Sequence, residues 1–205
     1  MKYKSKSLII VGAWNKYVLT EEWVRTNILP QTEYSNVSVE IPMNVDGSLK
    51  FNTKDFSFYI ITDKLVFIVN NNDDNSVLIK ISQVARSLLR LLLPTPLKAF
   101  GVNFVCLAAA SNDELKSISN TEEVKSIVKA AQCLSSFTRS FVLSENETLN
   151  LTQTFKDGSL MEYDFNFNSI VKYPIDIIER LGDDDEYIFR KQDMVATIIG
   201  ALCKE

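Results

Sequence analysis

Four groups of residues carry side chains whose types and spacing could do chemistry. Asp183-Asp184-Asp185-Glu186 could gather a divalent cation, because carboxylate oxygens are the ligands that magnesium and calcium take. Consecutive aspartates project in different directions, however, and acid just ahead of a helix also complements the helix dipole. The expectation is a solvated helix cap, with Asp183, Asp184 and Asp185 as weak metal candidates. Asp73-Asp74 lies in the run Asn70 to Asn75 and reads as a polar loop. Glu162 and Asp164, two apart, share one face of a strand. Paired carboxylates support acid–base work, but the outward face of a sheet carries the same pattern and is the preferred reading. Trp14, Tyr17 and Trp23 could line a ligand pocket; aromatics so spaced more often pack a helix onto a sheet.

What is missing narrows the chemistry further. The sequence holds no histidine, which excludes Ser-His-Asp and Cys-His catalysis and every His-containing metal site. Lysine nucleophiles, carboxylate chemistry and Mg²⁺ held by aspartates stay open. There is no P-loop, no G-x-G-x-x-G and no G-x-S-x-G. No catalytic residue, cofactor-binding residue or cofactor is assigned. Cys106, Cys133 and Cys203 lack C-x-x-C spacing and sit in apolar surroundings, so they read as buried free thiols of a reducing compartment. The sequons at Asn36, Asn146 and Asn150 gain meaning only behind a secretory signal. The opening MKYKSKSLIIVGAW reads as a strand rather than a signal peptide: its apolar run is short and no A-x-A site follows. No stretch offers 18 uncharged apolar residues, so no membrane span is expected.

The elements that must position these residues follow from periodicity. Lys6 to Trp14 reads as a strand buried on both faces, and Lys2, Lys4 and Lys6 as a small solvated basic tail. Thr20 caps a short helix that ends before Pro30. Val37, Val39 and Ile41 alternate as a half-buried strand. The turns Asp46-Gly47 and Asp63-Lys64 then separate LKFNT, FSFYIIT and LVFIVN, with VLIKI resuming the alternation after the Asn-rich loop. Ser82 caps a helix with Val84, Leu88, Leu91 and Leu92 on one face. Leu88, Leu91 and Leu92 are expected to be buried, and the helix to end within two residues of Pro94.

The second half repeats that order. Leu97 to Leu107 is a strand in which Gly101 permits a bulge or a close backbone approach. A capping box at Ser119 to Glu122 opens a helix running to Phe137. Strands follow at Phe141 to Leu143 and Thr148 to Phe155. A Lys156-Asp157-Gly158 turn leads to Ser159 to Asn168, where Met161, Tyr163, Phe165 and Phe167 alternate with polar residues. Pro174 starts a short helix ending before Gly182, and Val195, Ile198, Ile199 and Leu202 mark a last one.

The prolines at 94 and 96 also mark a change in charge. Residues 1–93 carry 11 Lys+Arg and 9 Asp+Glu, whereas residues 94–205 carry 11 and 17. The expected fold is α+β: a single compact unit, 1–205, of two pseudo-duplicated halves, 1–93 and 94–205. Each half runs strand, helix, antiparallel meander, helix. This order resembles that of the duplicated TATA-binding-protein-like folds. The resemblance rests on element order and on no motif, and it transfers no function.

With a net charge of −4 and a pI of about 5.1, a nucleic-acid partner is not expected. The function expected is a non-catalytic binding or assembly subunit, cytoplasmic, in a bacterial or phage setting. It would act through a protein partner or as a homodimer, by a sheet edge or by the apolar faces of the first half. The alternatives are a carboxylate- or Mg-dependent enzyme and a small-ligand-binding protein with a cavity between sheet and helix.

Overall fold

Alternating apolar residues build nine strands in the computed structural model, which describes residues 1–29, 34, 36–43, 47–109, 136–156 and 160–203. In chain order these are β1 (Lys2–Gly12), α1 (Glu21–Asn27), β2 (Ser38–Glu40), β3 (Lys50–Asn52), β4 (Phe56–Ile61), β5 (Lys64–Val69), α2 (Ser76–Leu91), β6 (Leu97–Ala109), β7 (Ser136–Ser144), β8 (Glu147–Phe155), β9 (Leu160–Ile170), α3 (Pro174–Leu181) and α4 (Glu186–Leu202). The protein is thus mixed α+β. All strands join one antiparallel sheet in the order β2-β3-β4-β5-β1-β6-β9-β8-β7.

Side chains from all four described helices enter one apolar cluster. Its strand members come from one face of the sheet, among them Leu8, Ile10, Phe58, Phe67, Phe104, Phe165 and Phe167. Phe51, Phe58 and Phe67 stack across β3, β4 and β5 with centroids 4.9 and 5.3 Å apart. Such rings contribute beyond their buried area. β1 is buried on this face only; Ser7, Ile9 and Val11 on the other face are half-buried, not buried as expected.

Local chemistry sets the element ends. The Thr20 hydroxyl accepts a hydrogen bond from the Trp23 N–H at 3.2 Å, and Glu21 and Glu22 occupy the first turn of α1. Pro174 opens α3, with the Asp176 carboxylate accepting from the Lys172 and Tyr173 N–H groups. Gly182 ends it at φ 62°, a left-handed conformation that suits glycine. The β4–β5 turn is Thr62-Asp63, one residue earlier than expected, because Lys64 already pairs with Ile61.

Three further expectations are corrected. Val77 to Ile81 is helical, and α2 begins at Ser76, not Ser82. A five-residue apolar run fits either period. Here Asp74 decides it by accepting from both the Ser76 N–H (2.8 Å) and hydroxyl (2.7 Å), which opens the helix. Ser82 therefore lies buried in mid-helix.

Leu91 is the second correction. Leu88 is buried and Leu92 packs against the core, but Leu91 is 50% exposed. At 3.6 residues per turn it falls about 100° from the centre of the stripe set by Val77, Leu78, Ile81, Ala85, Leu88 and Leu89. The helix ends at Leu91, with Leu92 as its cap two residues before Pro94. Leu88→Ala is accordingly expected to cost about 2–5 kcal/mol, and Leu91→Ala less than about 1 kcal/mol. Urea unfolding of the two variants checks the ranking.

Third, Phe137 lies in β7, not in a helix. The capping box at 119–122, the helix behind it, Cys133, and most of the Asp46-Gly47 and Lys156-Asp157-Gly158 turns lie outside the described residues.

Candidate functional site

Strand alternation that sends one set of side chains into the core must send the other set to the opposite face. The strand members of the apolar cluster lie on the helix side, and the described helices all pack there. The second face is therefore free of helix among the described residues. Its composition divides in two. On β4, β5 and β1 it carries Tyr59, Ile61, Val66, Ile68, Ile9 and Val11, brought side by side by the registers Tyr59↔Val66, Val66↔Ile9 and Ile61↔Lys64↔Val11. Ile61 is exposed, and Val66 is buried between Tyr59 and Ile9 in the same row.

On β6, β9, β8 and β7 the same face carries amide and hydroxyl rows beside Val105, Leu107 and the carboxylates Glu162 and Asp164. Ser7, Asn103, Asn166, Asn150 and Ser140 stand in one register row across five strands. Within it the Asn103 amide donates to Ser7 at 3.3 Å, the Asn166 amide to Asn103 at 2.6 Å, and the Ser140 hydroxyl to Asn150 at 2.7 Å. Thr138 and Thr152 pair in the neighbouring row at 2.8 Å. Gly101 lies on this face between the two fields, in the Ile9 row. A Cβ there would stand 3.1 Å from the Phe167 carbonyl oxygen, so the glycine serves close backbone approach rather than a bulge. An apolar stripe beside a field of donors and acceptors is equipped to bury a surface and to fix its orientation.

The other sequence candidates take structural places. Trp14 donates its indole N–H to the Ile10 carbonyl at 2.9 Å, and Trp14 and Trp23 pack on the core. Tyr17 is exposed and lines a shallow recess of about 310 Å³ with Leu19, Ile41, Pro42 and Leu49. Asp183 grips Arg86 (2.6 Å), Asp184 accepts from the Glu186 N–H, and Asp185 is buried at φ 55° with Arg86 at 3.7 Å. The solvated-cap expectation is thus corrected for Asp185. Among the described residues no group of three or more Cys, Asp or Glu is placed to hold a metal ion. Asp73 and Asp74 belong to the β5–α2 loop.

Glu162 is bound by Lys4 at 2.6 Å and Lys156 at 3.1 Å, which holds its carboxyl below the usual range despite partial burial. Asp164 is pushed the other way, by burial first and then by Glu162. The two carboxyls lie on the helix-free face, as the polar-face reading expects, and Glu162 is neutralised by lysines rather than left to react.

Three buried polar groups escape the sequence reading. Lys6 is fully buried, not a solvated tail: its ammonium donates to Asn75 at 2.7 Å and lies 4.4 Å from the Tyr3 ring centroid. Burial pushes it down, while Asp74 pulls it back up. Glu147 accepts from the Tyr187 hydroxyl at 2.6 Å and pairs with Lys191 at 2.9 Å, and the Lys191 ammonium also sits 5.0 Å from the Phe167 and Tyr187 ring centroids. Arg86 ties α2 to the α3–α4 link by donating to the Gly182 carbonyl and Asp183. The available signal was position: Arg86 follows Ala85 inside the apolar stripe of α2, and Lys191 lies one turn beyond Tyr187. Burial also pushes the Cys106 thiol up to about 12, so it is an inert core residue.

No protein-family model matches the chain, and no curated protein matches it in sequence.

Proposed function

We propose that the chain is a non-catalytic binding or assembly subunit that contacts a protein partner through the helix-free face of its sheet. One observation carries this reading: six large apolar side chains, Ile9, Val11, Tyr59, Ile61, Val66 and Ile68, are gathered on three adjacent strands with no described helix over them. A sheet face of that composition gains free energy when covered, at about 25 cal/mol per Å² of apolar area. The amide and hydroxyl rows beside it supply directional contacts. The same face carries both signs of charge, Lys50 and Lys64 against Glu40, Glu162 and Asp164. We therefore propose a protein partner and neither nucleic acid nor membrane. Among the described residues no helix is long and apolar enough to cross a membrane. The free thiols Cys106 and Cys203 support a reducing, cytoplasmic setting.

We also infer that 1–205 is one unit of two pseudo-repeated halves of TATA-binding-protein-like order. The strand order supports this: the first strands of the two halves, β1 and β6, pair at the centre. Each is flanked outward by the last strand of its own half, β5 or β9.

Substitution of the face separates the contact from the fold. Ile68→Asp with Tyr59→Lys is expected to abolish recovery of the stoichiometric partner that the native chain carries through affinity purification, while lowering the melting temperature by only a few degrees. Substitution of Ile175 and Phe189, exposed on the helix side, is expected to leave recovery intact. Equal recovery with the face variant defeats the reading.

A further inference from the structure

An antiparallel sheet of nine strands has two edges, and here they differ. One edge is β2, three residues long, carrying Glu40 and followed by Pro42. Short length, charge and proline are the devices that keep an edge from pairing. The other edge is β7, nine residues long, SFTRSFVLS, with Arg139 as its one charge and no proline. Phe141, Val142 and Leu143 are exposed there, Val142 at 80%. Where β3 in the first half is covered by β2, β7 has no outer strand among the described residues.

The residues of β7 select what can cover it. We propose that β7 pairs antiparallel with β7 of a second copy, about a two-fold axis at Ser140. The inference rests on the reading of the chain as an assembly subunit but uses the outer edge of β7, separated from the apolar stripe of β4, β5 and β1 by β6, β9 and β8. Continuing the sheet keeps like faces together, so a residue must meet one of its own parity. The two-fold axis then passes through a residue, not between two. An axis at Arg139 would oppose two guanidinium groups, which destabilises a pair. An axis at Phe141 would leave the first two residues of β7 unpaired. An axis at Ser140 pairs Thr138 to Val142, the regular stretch that ends at the register shift between Val142 and Ser144, whereas one at Phe141 would pair only Ser140 to Val142 regularly. On the helix side Arg139 then meets Phe141 of the second copy. Arg139 already lies 4.9 Å from the Phe137 ring centroid, so it is placed to contact aromatic faces on both sides. On the helix-free side Thr138 meets Val142, and the row Asn103, Asn166, Asn150, Ser140 runs on into its own copy.

One strand pair buries less than a standard interface, so the dimer is expected to be reversible, with a dissociation constant of roughly micromolar order. The test uses the full chain with Cys133 and Cys203 replaced by Ser, in sedimentation equilibrium and mild oxidation. The expected result is a monomer–dimer equilibrium that shifts to monomer at least tenfold in Val142→Lys. Ser140→Cys should cross-link to a covalent dimer, since the two copies' residues face each other about 5 Å apart. Thr138→Cys should not, because it faces residue 142 of its partner. A monomer at all concentrations up to about 100 µM overturns the proposal. So does a dimer that Val142→Lys leaves intact, or one that cross-links through position 138 and not 140. None of these substitutions touches the apolar stripe of β4, β5 and β1, whose failure is read from Ile68→Asp with Tyr59→Lys alone.

Discussion

Lys191→Met is expected to destabilise the protein by about 3–5 kcal/mol, a large share of the 5–15 kcal/mol that holds a typical domain together. The Lys191 side chain is 7% exposed and that of Glu147 12%. Removal of the ammonium leaves a carboxylate in the α4–sheet contact with two neutral donors, the Tyr187 hydroxyl at 2.6 Å and the Ser169 hydroxyl at 3.5 Å. The cost comes from that stranded charge and not from the pair as such. Lys191→Met with Glu147→Leu should therefore recover most of the loss. Urea unfolding of the two singles and the double measures the coupling. A single variant within about 1 kcal/mol of the native chain would show that the pair is in effect solvated.

The same site sets an acid limit. Burial raises the Glu147 carboxyl, but the Tyr187 and Lys191 hydrogen bonds outweigh it, and the net shift is downward. A group depressed in the folded state adds stability above its unfolded pKa, about 4.3 for glutamate. That stability is lost as the pH falls through the lower, folded value. The native chain should lose more stability than Glu147→Gln between about pH 5 and pH 3.

Arg86→Met is expected to cost a similar amount, about 3–5 kcal/mol, by a different route. Arg86 is buried in α2 and reaches 96 residues along the chain to the Gly182 carbonyl, then to Asp183 and the buried Asp185. Without it the buried Asp185 carboxylate loses the cation 3.7 Å away and the Gly182 carbonyl loses its donor. Both sit in a link whose backbone is already unusual, with Gly182 at φ 62° and Asp185 at φ 55°. The loss should be local as well as global. Hydrogen exchange is expected to accelerate at the α3 C-terminus and the first turn of α4 before it does so in β6. Uniform acceleration across the sheet would show that Arg86 supports the core generally and not this link.

Much of the fold is legible because it is local. Leu8 and Ile10 in β1, and Met161, Tyr163, Phe165 and Phe167 in β9, declare a buried face by alternation alone. Thr20 ahead of two glutamates declares a helix start. What failed was ambiguous or distant. Val77 to Ile81 carries too few residues to separate the two periods, and the Asp74 contact that settles it is a turn, not a pattern. Lys6 looks solvated beside Lys2 and Lys4, yet the register Lys6↔Phe104 turns it into the core. Glu147 and Lys191 are 44 positions apart, so no window contains both. The candidate surface was legible as composition and not as place. FSFYIIT and LVFIVN read as apolar on both faces, but which residues face away from the helices depends on pairing, as does the row that aligns Asn103, Asn166 and Asn150.

Side-chain footprinting tests the role of the helix-free face most directly. Carbene labelling of the chain in its native cellular extract would be compared with labelling of the purified chain, read residue by residue. The face is expected to lose labelling in the extract at Tyr59, Ile61 and Ile68, while Ile175 and Phe189 on the helix side label equally in both. Full labelling of Tyr59, Ile61 and Ile68 in the extract, with protection at Ile175 and Phe189 instead, would contradict it.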